Sequence, residues 1–133
     1  MESLIQRVED PSSGRYLEAR TEIVGDDLVV AVGGGERPHV GCVVLAQPHP
    51  AKDGAKKWSA SCSVLTIPPH KEEPIARGIA TKLAASLGRV AVVTAGVHDD
   101  NIDAEGIATY LRLAEELAEK LVDALGCGPD RMN

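Results

Sequence analysis

Polar and apolar residues alternate from Arg15 to Ile23, with Leu17, Ala19, Thr21 and Ile23 on one side and Tyr16, Glu18, Arg20 and Glu22 on the other. A period of two predicts a strand with one wet face. Gly25-Asp26-Asp27 is turn chemistry, and the unbroken apolar run Leu28 to Val32 fits a central strand covered on both faces. Gly33-Gly34-Gly35 breaks that run before a further strand, Val40 to Ala46, so the two strands are expected to form a hairpin. Gln47 to Lys57 reads as loop by composition. From Trp58 alternation resumes, with Trp58, Ala60, Cys62 and Val64 on one face and Ser59, Ser61 and Ser63 on the other, a solvated face or a ligand floor.

The period then changes. Pro74 suits a first helical turn, Ile75, Ile79, Leu83 and Leu87 recur at every fourth residue, and Gly88 stops the helix. Arg89 to Ala95 is a strand, and the strand-helix-strand order implies a crossover between parallel strands of one sheet. Asp103 is an N-cap for a last helix whose stripe is Ile107, Tyr110, Leu111, Ala114, Leu117, Leu121 and Leu125. The expected fold is α+β: a mixed sheet of about five strands, order ββββαβα, with two helices packed on one face. Residues 1–133 form a single domain in this reading, with loosely ordered termini at 1–14 and 127–133.

Composition narrows the function. The formal charge of −6 and the lack of a basic, aromatic-bearing cluster argue against a nucleic-acid binder. No apolar run suits a membrane helix and the N-terminal residues show no signal peptide, so the expected place is the cytoplasm. Only 2% of residues are aromatic, so a flat ligand meets few rings in one subunit. Cys42, Cys62 and Cys127 have no metal-like spacing, and the first two fall in strand patterns where a thiol acts as a small hydrophobe.

Candidate chemistry gathers in two strand-loop-helix units between Ser59 and Ile102. Each places a histidine and two acids between a strand end and a helix start: His70-Lys71-Glu72-Glu73 and His98-Asp99-Asp100-Asn101. Helix starts present free N–H groups and suit anions or metal-bridged phosphates. His39, His70 and His98 with Glu72, Asp99 or Asp100 are ordinary ligands for a divalent metal, although each histidine taken singly fits a cap or a carbonyl bond better. Lys71 and Arg77 are the cations best placed to answer a phosphate. The glycine triplet, including Gly34 and Gly35, suits either close approach to a phosphate or a flexible turn.

Three segments, Pro38-His39-Val40-Gly41, Pro69-His70-Lys71-Glu72-Glu73 and Gly96-Val97-His98-Asp99-Asp100-Asn101, together resemble the LpdD-type prenylated-flavin chaperone family, associated with maturation of UbiD-type (de)carboxylases. The likeness runs from about Arg15 to Leu125. It implies a non-catalytic carrier that binds prenylated FMN (or FMN) and assists a UbiD-type decarboxylase, as a homo-oligomer. The family's motifs map onto His39, His70, Glu72, His98 and Asp99, holding the flavin phosphate through a divalent metal; Gly34, Gly35, Lys71, Arg77, Asp100 and Asn101 complete the expected cofactor site. The second motif departs from the family pattern in Pro69, Glu72 and Glu73, where a glycine and aspartates are expected. The rival reading is a small metal-dependent, hydrolase-like enzyme using the same histidines and acids.

Overall fold

In a computed structural model that describes residues 1–52, 54, 57–69 and 72–126, the alternating and apolar segments assemble into one mixed sheet. Its strands are β1 (Glu2–Glu9), β2 (Tyr16–Val24), β3 (Asp27–Gly35), β4 (Cys42–Pro50), β5 (Trp58–Thr66) and β6 (Ala91–His98), and its helices are α1 (Glu73–Leu87) and α2 (Ala104–Leu125). Across the sheet the order is β1-β2-β3-β6-β4-β5. Among the described residues only β3 and β6 pair in parallel, from Leu28↔Ala91 to Gly35↔His98; the other neighbours are antiparallel.

The expected α+β class holds, and the sixth strand comes from the segment read as a loose lead-in. β1 pairs along its whole length with β2. Asp10 fixes the turn between them by accepting from the Ser12 hydroxyl, the Ser13 amide and hydroxyl, and Arg112 of α2 at 2.8 Å. The Ser13 and Ser12 hydroxyls foremost hold the Asp10 carboxyl below its ordinary range, against the pull of burial. Cys127 to Asn133 lies outside the described residues.

Further expectations are corrected. β3 and β4 form no hairpin, because β6 enters between them; its apolar run gains ladder partners on both edges there. β3 continues through the glycine triplet, and the described residues cover only one of its faces, leaving Val29 42% exposed. β4 extends through Gln47 to Pro50, with Pro48 and Pro50 lying beyond Ala46, where pairing to β6 stops and a missing N–H leaves no ladder bond unmade on that side. The parallel relation of β5 and β6 holds, with β4 between them and antiparallel to both.

α1 covers β4, β5 and β6, and α2 covers β1 and β2. Both helices lie against the buried face, where Leu17, Leu28, Val30, Val44 and Val93 of the sheet meet Ile79, Leu83, Leu113, Leu117 and Leu121. Gly88 ends α1 in the left-handed region, at φ 65°, and its N–H bonds the Ala84 carbonyl. Asp103 caps α2 by accepting from the Gly106 amide at 2.8 Å. The stripe of α2 is displaced from expectation: Leu113 and Ala118 are buried, whereas Ile107 and Leu111 stay 51% and 41% exposed. Leu117 is wholly buried, so Leu117→Ala is expected to lower stability by about 3 kcal/mol, seen as a lower urea midpoint with an unchanged m-value.

Candidate functional site

Because β3 and β6 run in parallel, their carboxyl ends lie side by side at one rim, opposite the starts of β2 and β4. The loop from Glu36 to Gly41 leaves β3 and crosses the end of β6 to reach β4. Its backbone is tied down by Glu36 N–H to His98 O (2.8 Å) and Gly41 N–H to Ala95 O (2.9 Å). The crossing requires Gly96, since any Cβ there would collide with the His39 carbonyl. Gly41 O in turn accepts from Ile67 N–H at 2.9 Å, which brings the end of β5 to the same rim.

Asp99 is the hub. Its Oδ1 accepts from Glu36 N–H at 2.9 Å, and its Oδ2 from Tyr110 Oη at 2.6 Å and Arg15 Nε at 3.2 Å. Gly35, at φ 76°, lets the chain pass close enough that a Cβ would stand 2.6 Å from Asp99 Oδ1. Burial acts to raise the Asp99 carboxyl, but the bonds from Tyr110, Glu36 and Arg15 outweigh it and hold the group below the ordinary carboxylate range. Burial first, then the hydrogen bond to Asp99 and its charge, push the Tyr110 phenol up, so it remains a hydrogen-bond donor at neutral pH.

Two smaller pairs flank this hub. The His39 ring spans from the Arg37 carbonyl, 3.1 Å from Nδ1, to the Glu72 carboxylate, 3.0 Å from Nε2. Glu72 is buried and also faces the Val97 amide at 3.4 Å. Asp100 lies toward solvent, 2.9 Å from His98 Nε2 and 2.8 Å from Arg37 Nη2; the His98 bond and then the Arg37 charge hold it below the ordinary range.

A cavity of about 370 Å³ opens beside these groups, between the starts of α1 and α2. Glu72, His98, Asp99 and Tyr110 give it a polar wall. Ile75, Val97, Ile102, Ile107 and Leu111 supply the rest, which accounts for the two exposed apolar residues of α2. A second hollow of the same size lies across Asp99 and Tyr110, walled by Ser13, Gly14, Arg15 and Gly35.

The rim thus gathers His39, Glu72, His98, Asp99 and Asp100 from three loops, while His70 and Lys71 lie outside the described residues. Asn101, with φ 56°, turns the chain toward α2 and is exposed. Gly34 is buried under the Tyr16 carbonyl, away from either hollow. Arg77 pairs with Glu73 on the outer flank of α1 and lines a different groove. The expected metal finds no cluster of three or more ligands among the described residues. Physically, the acids there are already answered: Glu72 by His39, Asp99 by Arg15 and Tyr110, Asp100 by Arg37 and His98. Cys42 is buried and burial foremost raises its thiol, as suits an inert residue; Cys62 is exposed on β5, contrary to the core role expected of it.

Sequence reasoning missed Arg15, Arg37 and Tyr110. Tyr110 carried a signal, being one of two tyrosines and the sole hydroxyl-bearing ring within an apolar helical stripe. Arg15 and Arg37 stand in loops far from Asp99 in sequence, and only the strand order brings them near. A carboxyl depressed in the fold contributes stability above its unfolded pKa of about 4 and loses it as pH falls through the lower folded value. Asp99→Asn is therefore expected to lower stability at pH 7 and to flatten its fall below about pH 4, as measured by urea unfolding across that range.

Three comparisons place this geometry among known proteins. The chain matches the family model described as "Prenylated flavin chaperone LpdD-like domain" over residues 12–126. It is 25% identical over 117 residues to "Protein LpdD" of Lactiplantibacillus plantarum (strain ATCC BAA-793 / NCIMB 8826 / WCFS1), covering 88% of this chain and 82% of that protein. Its fold superposes with a TM-score of 0.62 on a chain from "Crystal Structure of a Novel Chaperone Complex for Yeast 20S Proteasome Assembly", covering 94% of each chain at 15% identity, a likeness of fold alone. A match spanning most of the chain, and including all three histidine-bearing loops, decides the matter: this protein belongs to the LpdD-like prenylated flavin chaperone domain family.

Proposed function

We propose that the protein binds prenylated FMN at the rim cavity and hands it to a UbiD-type decarboxylase, without catalysing a reaction itself. The observation that carries the reading is the convergence of Ile107 and Leu111, both substantially exposed, on a cavity whose other wall is Glu72, His98, Asp99 and Tyr110. Solvent-facing aliphatic residues beside an ordered polar wall suit a ligand with a flat apolar body and polar edges. The fit with a flavin is chemical. The aliphatic side accepts the ring system and its prenyl-derived extension, and the Tyr110 and His98 side offers hydrogen-bonding groups to its heteroatoms.

The phosphate has fewer places to go. Asp99 and Glu72 repel an anion inside the cavity, so the phosphate points outward to Arg37, whose side chain is 66% exposed. A cargo held at an open rim by aliphatic contacts is released without breaking a buried ion pair, as a carrier requires. Retention in the cytoplasm and a homo-oligomeric form remain part of this proposal.

The reading is tested by co-expression with a prenyl-FMN synthase, followed by absorbance spectra of the purified protein and transfer to an apo-decarboxylase. Near-stoichiometric flavin and a gain of decarboxylase activity are expected. Ile107→Asp should lower flavin retention about tenfold by replacing apolar burial with a charge, with the circular dichroism spectrum unchanged. Absence of flavin from the wild-type protein, with the synthase shown to be active, overturns the reading.

A further inference from the structure

The two edges of the sheet are unequal. β1 carries Glu2, Arg7 and Glu9 along its length, charges of the kind that discourage an edge from pairing with another chain. β5, the opposite edge, reads Trp-Ser-Ala-Ser-Cys-Ser-Val-Leu-Thr, with neither a charge nor a proline over nine residues. Its outward backbone N–H and C=O groups have no strand partner among the described residues. Nor does α1 close over it: Cys62 faces the helix, 3.2 Å from the Thr81 hydroxyl, and is still exposed.

Alongside lies the largest hollow described in the molecule, a groove of about 870 Å³ on the outer flank of α1. It follows the helix from Pro74 to Leu87, a length of about 20 Å at the helical rise, enough for about six residues of extended chain. Trp58 floors one end, packed under Gly88. Lys57, Arg77 and Lys82 line the groove and no acid does, although the whole chain carries −6. Arg77 is shared with Glu73, whereas Lys82 makes no ion pair among the described residues.

We propose that β5 and this groove form a docking site for an extended, carboxylate-bearing segment of another protein, which adds to the sheet as a further strand outside β5. Main-chain bonds to the bare edge would supply affinity, and alternate side chains turned toward α1 would place carboxylates against Lys57, Arg77 and Lys82. A second copy of this chain is the poorer occupant. Antiparallel pairing of β5 with itself about a two-fold axis lays one α1 beside the other and sets Arg77 and Lys82 against the same cations. The surface shares no residue with the rim cavity and stands independently of the flavin reading.

The test uses the full-length protein with an alternating Val-Glu octapeptide and its Val-Lys counterpart as probes. Trp58, the single tryptophan, reports by fluorescence, and amide exchange is followed over residues 58–66. The Val-Glu peptide is expected to shift Trp58 emission saturably, to slow exchange of β5 amides, and to bind less well as salt rises. Exposed Lys82 replaced by glutamate, Lys82→Glu, should weaken it about fivefold or more with the circular dichroism spectrum unchanged. Equal binding of both peptides, no response to the Val-Glu peptide, protection elsewhere than β5, or β5 amides already protected in a concentration-dependent dimer would each overturn the proposal.

Discussion

The ladder that β6 makes with β3 on one side and β4 on the other is what the rest of the molecule depends on. Each edge of β6 satisfies backbone groups that an apolar, buried strand cannot leave unpaired. Slotting it there separates β3 from β4 and forces their connection over its end, where Gly96 makes room. The same placement puts His98 and Asp99 beside Gly35 and below the Glu36–Gly41 loop. Rim, hub and cavity are thus consequences of one strand's position.

Electrostatics at the rim is settled locally. Asp99 is half-buried, and three donors favour its ionised form, while Glu72 is matched by His39. These bonds hold the polar wall in place. A preorganised wall of this kind orients a ligand without having to rearrange around it. The aliphatic wall draws Ile107 and Leu111 from α2, Ile75 from α1 and Val97 from β6, so its shape depends on how both helices seat on the sheet.

Much of the architecture was legible in the sequence because it rests on local chemistry. The alternation of Tyr16 to Val24, the fourfold spacing of Ile75, Ile79 and Leu83, and the Asp103 cap are readable one segment at a time. Strand order is not, since β3 and β4 carry nothing in themselves that reveals a third strand between them. The N-terminal strand escaped for a different reason: Gln6 shares a face with Leu4 and Val8 while Ile5 falls on the other, which blurs the alternation, and Asp10, whose bonds with Ser12, Ser13 and Arg112 secure the turn, finds its helical partner far along the chain. For the site, the loop motifs pointed to His39, Glu72, His98 and Asp99. The partners Arg15, Arg37 and Tyr110 depend on tertiary proximity, so among the described residues the acids meet hydrogen-bonding and ion-pair partners that the pattern alone did not reveal.

The central position of β6 also bears on how the protein is made. Its residues come late in the chain, after β1 to β5 and α1. As synthesis proceeds, β3 and β4 emerge with no strand to join them, and the two halves of the sheet, β1-β2-β3 and β4-β5, exist as separate pieces. The rim loop has nothing to cross until β6 arrives. Completion of the sheet therefore waits on a contact of long sequence separation, which slows folding relative to a meander of the same size. Until then the apolar edges of β3 and β4 are both open, and the nascent chain is at its most vulnerable to pairing with the wrong strand.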